Sequence, residues 1–460
     1  MSLLEVKPKF VPPLDPQFRP IILGNRAYAK WVATSPDKAQ LKLGVERNNG
    51  LRSVTELTVA ATEAASPDTA RYVERLVKFL LWQQGGWKIL VEGPRWIADH
   101  LAKVYSPTGA RAFDVQLMER VYEKTFTVEW MPVGKMPPAA EAAVALGGHL
   151  DGCRIGFDLG ASDYKLAAVK DGEPLFTTEI HWDPRIEADP NFHYQKINDG
   201  LKLAASHLPR VDAIGGSSAG IYIDNKVMVA SLFRSVPPEA FETQVKPIFL
   251  RLQKEWNVPF EVANDGDVTA LAGAMSLNAN AVLGVAMGSS QAAGYLDQAD
   301  RITGWLNELA FAPVDYRPDA AADEWSGDIG CGVQYFSQQG VVRLAIAAGI
   351  ELPAGHPAEQ LKHVQELHKQ GDPRTLAIYE SVGICLGYAL AQYSERYELA
   401  HVLILGRVTS GSGGDVILAK AREVLAGEFP EIASRLALHV PDEKSKRHGQ
   451  AVAAASLPKR

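Results

Sequence analysis

The stretch "IGFDLGASDYKLAAVKDGE", Ile155–Glu173, decides how the chain is interpreted. An apolar run ends at a bend of small residues that carries Asp158, Gly160 and Ser162, and a second run follows and ends at Asp171-Gly172. Alternating runs on both sides of a small-residue bend predict a β-hairpin. Glycine has no Cβ, so the backbone N–H groups of such a bend can approach an anion closely. The hairpin is therefore a candidate phosphate-binding turn.

Composition and charge limit the classes of function. The chain has 460 residues, of which 47% are apolar, so we expect two or three domains. A net charge of −7 argues against binding along nucleic acid or an anionic membrane, because both need a basic face. Cys153, Cys331 and Cys385 lie far apart, which suits a reducing compartment. With no signal peptide and no apolar run of roughly 20 residues, we expect a cytoplasmic protein without a membrane partner.

The amino-terminal third predicts an arm followed by an α/β domain. Residues 1–35 are expected to be an extended arm, because five prolines fall among the first twenty residues. Alternating runs on both sides of Asn49-Gly50 predict a hairpin, and Ser66–Gly85 has the caps and spacing of a helix. A strand, two helices and a last strand complete a domain over residues 36–135, and an Ala/Pro/Gly-rich connector follows.

A DNA-binding helix–turn–helix is the alternative for this region. The segment Ser53–Phe79 resembles one in outline, but Ser53–Val59 continues the hairpin pattern. Contact with phosphates needs net positive charge, whereas the supposed reading helix mixes signs at Asp68, Arg71, Glu74, Arg75 and Lys78. We therefore expect no nucleic-acid partner.

Two further strand–turn units follow the first hairpin. "AVLGVAMGSSQAAGYLD", Ala281–Asp297, repeats the strand–turn–strand pattern with Gly288, Ser289 and Ser290 at its bend. "HVLILGRVTSGSGGDVILAKAREVL", His401–Leu425, is a strand, a Gly/Ser loop and a helix. Three such units indicate a phosphate-binding cleft between two similar α/β lobes.

The order of these motifs resembles the actin/hexokinase/Hsp70 ATPase superfamily. "VANDGDVTALAGA", Val262–Ala274, is similar to the ROK (repressor, open reading frame, kinase) family, which carries Asn-Asp before a small-residue helix. The resemblance implies an actin-like ATPase fold of class α/β, ribonuclease H-like, with lobes at residues 151–275 and 276–460 added to the amino-terminal domain. The last helix can return to the small lobe.

The resemblance also implies ATP-dependent phosphorylation of a sugar or sugar-like hydroxyl, with ATP and Mg²⁺ as cofactors. Asp265 would be the general base, and Asp158 would meet Mg²⁺ through water. Asn264 and Glu308 would bind sugar hydroxyls. The positions implied for the nucleotide are Gly160, Ala161, Ser162, Lys165, Gly288, Ser289, Ser290, Gly406, Gly411, Gly413 and Gly414. Whether two copies pair as a homodimer is left open.

Each of these roles has an alternative. Asp158 could cap its own turn, which is the commoner use of Asp before Gly. Asp265 could be a helix N-cap, a role that Asn264 or Asp267 could serve equally. Glu308 could be a solvated surface charge.

Departures from the family's pattern favour a second function. Ala310 replaces the family's histidine, and Cys331 stands alone where a zinc-binding cysteine cluster is expected, so we predict no zinc. In the first hairpin, Asp163 occupies the position at which the family often has a lysine. In the second hairpin, Ser290, Gln291, Ala292 and Ala293 replace the family's run of glycines. A non-catalytic sugar- or nucleotide-sensing protein that kept the fold is therefore the alternative, with a DNA-binding regulator third.

Overall fold

The computed structural model describes residues 2–141, 146–160, 163–440 and 443–459. The amino-terminal unit contains α1 (Ile21–Thr34), β1 (Lys38–Glu46), β2 (Arg52–Ala60), α2 (Asp68–Gln84), β3 (Lys88–Glu92), α3 (Arg95–Val104), α4 (Ala112–Tyr122) and β4 (Thr127–Met131). Its sheet has the order β2-β1-β3-β4, in which β1 is antiparallel to β2 and β3, and β4 is parallel to β3.

Helix α1 corrects the prediction of an extended arm over residues 1–35. The prolines end at Pro20, and after it Ile21, Tyr28 and Val32 form a buried stripe at helical spacing. The residues before α1 also lie on the molecule, because Leu4 and Phe18 are fully buried in the core. Proline density excluded a helix from the first twenty residues but did not keep them out of the core.

The small lobe contains β5 (Cys153–Leu159), β6 (Asp163–Lys170), β7 (Glu173–His181), α5 (Pro190–Ala205), β8 (Ala213–Ser218), β9 (Ile221–Ile223), β10 (Lys226–Val229), α6 (Pro238–Ala240), α7 (Ile248–Trp256) and β11 (Phe260–Asn264). Its sheet has the order β11-β8-β5-β6-β7. Strands β5, β6 and β7 are antiparallel neighbours, whereas β8 and β11 run parallel to β5. Strands β9 and β10 form a separate hairpin.

The large lobe contains α8 (Asp265–Leu277), β12 (Val282–Met287), β13 (Gln291–Leu296), α9 (Gln338–Ala347), α10 (Pro357–Lys369), α11 (Pro373–Ser394), β14 (His401–Leu405), α12 (Ser412–Glu428), α13 (Pro430–Ala433), β15 (Ala437–His439) and α14 (Glu443–Ala455). Its sheet has the order β13-β12-β14-β15, an antiparallel hairpin followed by two parallel strands. The small lobe has the same hairpin and parallel pair, so the two lobes repeat one topology. None of the helices in the described part of the chain is long and apolar enough to cross a lipid bilayer.

The last helix, α14, leaves the large lobe and packs across β5, β6 and β8 of the small lobe. Two glycines of the sheet make this close packing possible. A Cβ on Gly156 or on Gly215 would lie 1.8 Å from the carbonyl oxygen of Ala451 or of Ala454, respectively. The helix backbone therefore rests directly on the sheet.

A buried group of ion pairs, here called the Lys78 network, joins the amino-terminal unit to the large lobe. It consists of Glu74, Arg75, Lys78, Arg111, Asp114 and Asp328. Lys78 Nζ lies 2.9 Å from Asp114 Oδ1 and 3.2 Å from Asp328 Oδ2. Burial disfavours the charged Asp328 carboxylate, but Lys78, Arg75 and Arg111 outweigh it and hold the pKa of Asp328 well below its usual range.

The position of α2 bears on the DNA-binding alternative. Its residues from Tyr72 to Gln84 are buried, and three of its charged residues, Glu74, Arg75 and Lys78, belong to the Lys78 network. The other two, Asp68 and Arg71, contact Ser2 and Glu5 near the amino terminus. A helix that reads DNA must lie in the major groove with an open face. Helix α2 has no such face in this structure.

Candidate functional site

The first hairpin places Asp158 and Lys165 opposite each other, because they are register partners on β5 and β6. Lys165 Nζ lies 3.4 Å from Asp158 Oδ2, and Ser217 Oγ of the neighbouring β8 donates to Asp158 Oδ1 at 2.8 Å. Burial raises the pKa of Asp158, while Lys165 and Ser217 oppose that rise. Two of the residues assigned to this turn, Ala161 and Ser162, lie outside the described residues.

Asp265 is the first residue of α8, at the carboxyl end of β11. The helix is capped by Asn264, whose Oδ1 accepts from Gly266 N at 2.7 Å and whose Nδ2 donates to Gly220 O at 2.6 Å. Asp265 Oδ1 shares the same N–H at a longer distance of 3.1 Å. Asn264 thus supplies the main cap, and Asp265 Oδ2 makes no hydrogen bond to the described residues.

Four carboxyl groups, here called the carboxyl cluster, interact at the base of the cleft: Asp158, Asp265, Asp267 and Glu308. Burial, together with the charge of Asp158, raises the pKa of Asp265 to about 6. Burial raises the pKa of Asp267 to about 7, and the charge of Asp265 adds to this. Burial and the charges of Asp265 and Asp267 raise the pKa of Glu308 to about 8. Glu308 is therefore part of the site, not an isolated surface charge.

Backbone contact fixes the position of Asp265 relative to the second hairpin. A Cβ on Gly266 would lie 2.2 Å from Ala293 O, and one on Gly294 would lie 2.1 Å from Gly266 O. The first turn of α8 therefore packs on β13 without intervening side chains. Neither glycine was among the predicted site residues, although Gly294 lies inside β13, and a glycine inside a strand is a signal of close backbone approach.

The second hairpin turns at Gly288, Ser289 and Ser290, where Gly288 N donates to Ser290 O at 2.9 Å. Ser289 and Ser290 are exposed. The replaced position Gln291 is buried, and its Nε2 donates to Tyr393 OH at 3.3 Å. Ala293 is also in the core. Gln291 and Ala293, which replace two of the expected glycines, therefore point into the core and do not fill the space beside the turn.

The third loop lies beside the second hairpin because of Gly406. Its φ is 103°, and a Cβ there would lie 2.4 Å from Met287 O. Gly411, with φ of 75°, precedes α12 in the open, whereas Gly413 and Gly414 pack against the Tyr379 ring and the Thr409 backbone. The structure brings Gly288 and Gly406 together, while Gly413 and Gly414 serve packing inside the lobe.

Two polar residues that the sequence did not single out, Gln450 and Asn307, complete the site. Gln450 on α14 donates its Nε2 to Ser217 Oγ at 3.0 Å and to Asp265 O at 3.1 Å. Asn307 Nδ2 donates to Asp267 Oδ1 at 3.1 Å. The sequence around Gln450 could not predict its place in the site, because its partners lie on β8 and at the start of α8, far away in sequence.

Cys331 lies within the Lys78 network, away from the carboxyl cluster. Its thiol is buried and donates to Asp328 Oδ2 at 3.2 Å, and burial raises its pKa. Over residues 2–141, 146–160, 163–440 and 443–459 the structure contains no group of three or more His, Cys, Asp and Glu side chains arranged to hold a metal ion. That no zinc binds stays a prediction from the sequence.

The carboxyl cluster predicts how stability depends on pH. Carboxyls of unfolded chains titrate near pH 4, whereas Asp265, Asp267 and Glu308 titrate at about 6, 7 and 8 in the folded protein. Between about pH 4 and pH 8 the folded protein therefore binds more protons than the unfolded chain does. Its free energy of unfolding falls as pH rises through this range. Glu308→Gln should raise the melting temperature above that of the natural protein at about pH 9 and approach it at about pH 4, where this carboxyl is largely protonated in both the folded and the unfolded chain.

Differential scanning calorimetry of both proteins at the two pH values measures this difference. Glu179→Gln, at an exposed position of β7, controls for the loss of one carboxylate. A Glu308→Gln variant with the same melting temperature as the natural protein at high pH would contradict the raised pKa of Glu308.

No family model matches this chain, and no curated protein matches it. Many solved structures do match it, among them the following three. The ROK hexokinase of Thermus thermophilus aligns at 16% identity and a TM-score of 0.53, covering 66% of this chain and 97% of its own. A ROK family glucokinase of Streptomyces griseus, in complex with glucose and AMPPNP, aligns at 20% identity and a TM-score of 0.51. This alignment covers 67% of the present chain and 99% of the glucokinase chain.

The third is a ROK family transcriptional regulator described as a homolog of the E. coli MLC protein. It aligns at 17% identity and a TM-score of 0.54, covering 67% of this chain and 79% of its own. At these identities the likeness shows the fold alone. The predicted actin-like ATPase fold is confirmed, and about a third of the chain lies outside these alignments.

Proposed function

Because the chain has the fold shared by ROK kinases and a ROK regulator, we propose that it transfers the terminal phosphoryl group of ATP to a hydroxyl of a sugar or sugar-like molecule. The observation that supports this proposal best is the pKa and the hydrogen bonding of the Asp265 side chain. Its pKa is raised to about 6, its Oδ2 is unengaged among the described residues, and α8 holds it against the second hairpin. A general base works best when its pKa lies near the operating pH.

The residues at the cleft fit a magnesium-bound nucleotide. Within the described residues, Lys165 is the one cation paired with the four carboxyl groups of the cluster, so negative charge is in excess there. A divalent cation held near Asp158 through water would offset it, since Mg²⁺ prefers oxygen ligands and keeps several waters. Gly288 leaves the backbone open at the second turn, and Gly406 lets the third loop approach the Met287 backbone beside it. When bound, Mg·ATP supplies the phosphoryl group and neutralises its charge.

The carboxyl groups have different roles in the proposed reaction because they differ in protonation. Near pH 7, Asp265 is mostly ionised and takes the proton of the acceptor hydroxyl as the hydroxyl attacks. Glu308, with a pKa of about 8, is mostly protonated and donates a hydrogen bond to a second acceptor oxygen. Asp267 accepts from Asn307 and Tyr295 N, and so holds the segment that carries Glu308. Asn264 keeps one amide hydrogen for an acceptor hydroxyl.

A sugar- or nucleotide-sensing protein without catalysis is the second candidate. One observation favours it: Lys165 is already paired with Asp158, the carboxylate that would help to hold a magnesium ion in the kinase. A lysine at this place can neutralise Asp158 without any metal. The two candidates differ in whether Mg·ATP binds and in whether ADP is released.

Removing the Asp158 carboxylate tests the nucleotide site. A ligand at 100 times its dissociation constant stabilises a protein by about 2.7 kcal/mol, so Mg·ATP at millimolar concentration should raise the melting temperature of the natural protein. Asp158→Ala should show a much smaller rise. Asp199→Ala, an exposed position of α5, is the control and should respond as the natural protein does.

The same proteins are then assayed for ADP release over a panel of sugars. Release that depends on one sugar supports the kinase. A natural protein that ignores Mg·ATP but is stabilised by a sugar would be a sensor, and the kinase proposal would fall.

A further inference from the structure

A cavity of about 600 Å³ lies where the three units meet, and it is here called the junction cavity. The amino-terminal unit contributes the tip of its first hairpin, Arg47–Leu51, together with Tyr122. The small lobe contributes the β9–β10 hairpin and the edge of β11, and the large lobe contributes residues 302–306. Its volume is in the range of small-molecule sites, and such sites occur preferentially between domains.

The junction cavity begins next to the proposed acceptor site. Asn264 and Asp267, on either side of Asp265 and Gly266, both line it. Gly220, whose carbonyl accepts from Asn264 Nδ2, lines it as well. A molecule whose hydroxyl reaches Asp265 can therefore extend past Asn264 into this space.

The lining is polar and carries little positive charge. Asp224, Glu261 and Asp267 contribute carboxyl groups, and Arg47 is the one Lys or Arg side chain in the lining, with its charge paired to Glu141. An anionic ligand would meet excess negative charge. Tyr222 and Trp305 add aromatic rings to the lining, and such rings can bury the apolar face of a sugar.

Several polar atoms of the lining have no hydrogen-bond partner. Arg47 Nε, Asn48 Oδ1 and Thr303 Oγ1 are shielded from solvent, and each lacks a partner among the residues that the structure describes. Arg47 is only 3% exposed. Unpaired buried polar groups cost free energy, so these side chains would gain hydrogen bonds by turning toward the hydroxyl groups of a ligand in the cavity.

We propose that the junction cavity binds a second sugar ring, so that the acceptor is a neutral disaccharide or other glycoside larger than a monosaccharide. The proposal rests on the proposed function for the position of the reacting hydroxyl at Asp265. It gives the amino-terminal unit a role as a wall of the acceptor site. Binding of the second ring needs neither ATP nor catalysis, which allows the two proposals to be tested separately.

Isothermal titration calorimetry of the full chain without nucleotide is the test. Glucose, mannose, galactose and N-acetylglucosamine are each compared with a disaccharide built on the same sugar. We expect one disaccharide to bind at least about tenfold more tightly than its monosaccharide. Gln253→Trp, which places a large ring in the cavity from α7, should remove that advantage.

Lys254→Trp is the matched control, since its neighbouring position is exposed and does not line the cavity. It should keep the preference of the natural protein. Thr303→Val preserves shape but removes one unpaired hydroxyl, and it should reduce the disaccharide's advantage by about threefold. This second variant keeps the test valid if Gln253→Trp does not fold.

The outcomes separate the two proposals. A protein that prefers a disaccharide but releases no ADP with it contradicts the kinase and supports the cavity proposal. Disaccharides that bind no more tightly than their monosaccharides, or that do not bind at all, overturn the cavity proposal. A preference that Gln253→Trp and Thr303→Val leave unchanged also overturns it, because the second ring would then lie elsewhere.

Discussion

Asp265→Asn is expected to lower turnover by about 10²-fold or more while the dissociation constant of the acceptor changes little. The amide keeps the shape of the side chain but cannot take a proton from the acceptor hydroxyl. Asn264 caps α8, so the substitution does not remove the main cap of the helix. Coupled ADP release at saturating Mg·ATP measures turnover, and calorimetry measures acceptor binding.

The control for Asp265→Asn is Asp300→Asn, at an exposed turn after β13. It removes one carboxylate of the large lobe without touching the cleft, and it should leave turnover unchanged. Unchanged turnover in Asp265→Asn would exclude Asp265 as the base. Equal losses of turnover and of acceptor affinity would instead indicate that Asp265 acts in binding.

Gly215→Val should destabilise the protein by about 3 kcal/mol or more, the largest effect on stability predicted here. A Cβ at this position would lie 1.8 Å from Ala454 O, so the backbone of α14 must move away from the sheet. Because Gln450 on the same helix donates to Ser217 and to Asp265 O, a displaced α14 also releases the base of the cleft. Turnover should therefore fall along with stability.

Urea unfolding gives the free energy of unfolding for Gly215→Val. Gly449→Ala in the same helix is the matched control, because a Cβ there meets nothing within 4 Å. It should be neutral or stabilising by up to about 1 kcal/mol, the difference in helix propensity between glycine and alanine. A Gly215→Val protein as stable as the natural one would mean that α14 does not rest on the sheet.

The elements that local pattern specifies were predictable from the sequence. The hairpin at Asp158 and Lys165, the turn at Gly288 and the helix that begins at Asp265 each follow from alternation, glycine or a capping residue within a few positions. Helix α1 was missed because the prolines before it outweighed its apolar stripe.

The parts of the site that depend on distant residues could not be predicted. Gln450 meets Asp265 only after α14 returns to the small lobe, and Gly266 meets Gly294 only after α8 packs on β13. The pKa values of the carboxyl cluster depend on burial in the folded chain, which no local spacing encodes. The Lys78 network likewise pairs α2 and α4 with a loop of the large lobe.

The Lys78 network also affects how strongly the three units of the molecule are joined to one another. Breaking a buried ion pair by removing one partner costs about 3–5 kcal/mol, whereas surface pairs contribute about 0–1 kcal/mol. The amino-terminal unit holds the large lobe through the network but meets the small lobe through partly exposed pairs of Glu123 with Lys246 and Lys226.

The buried pairs therefore join the amino-terminal unit to the large lobe more strongly than the partly exposed pairs join it to the small lobe. The junction cavity has walls on both sides of this weaker contact, so a bound ligand would add contacts between the amino-terminal unit and the small lobe where their ion pairs are exposed.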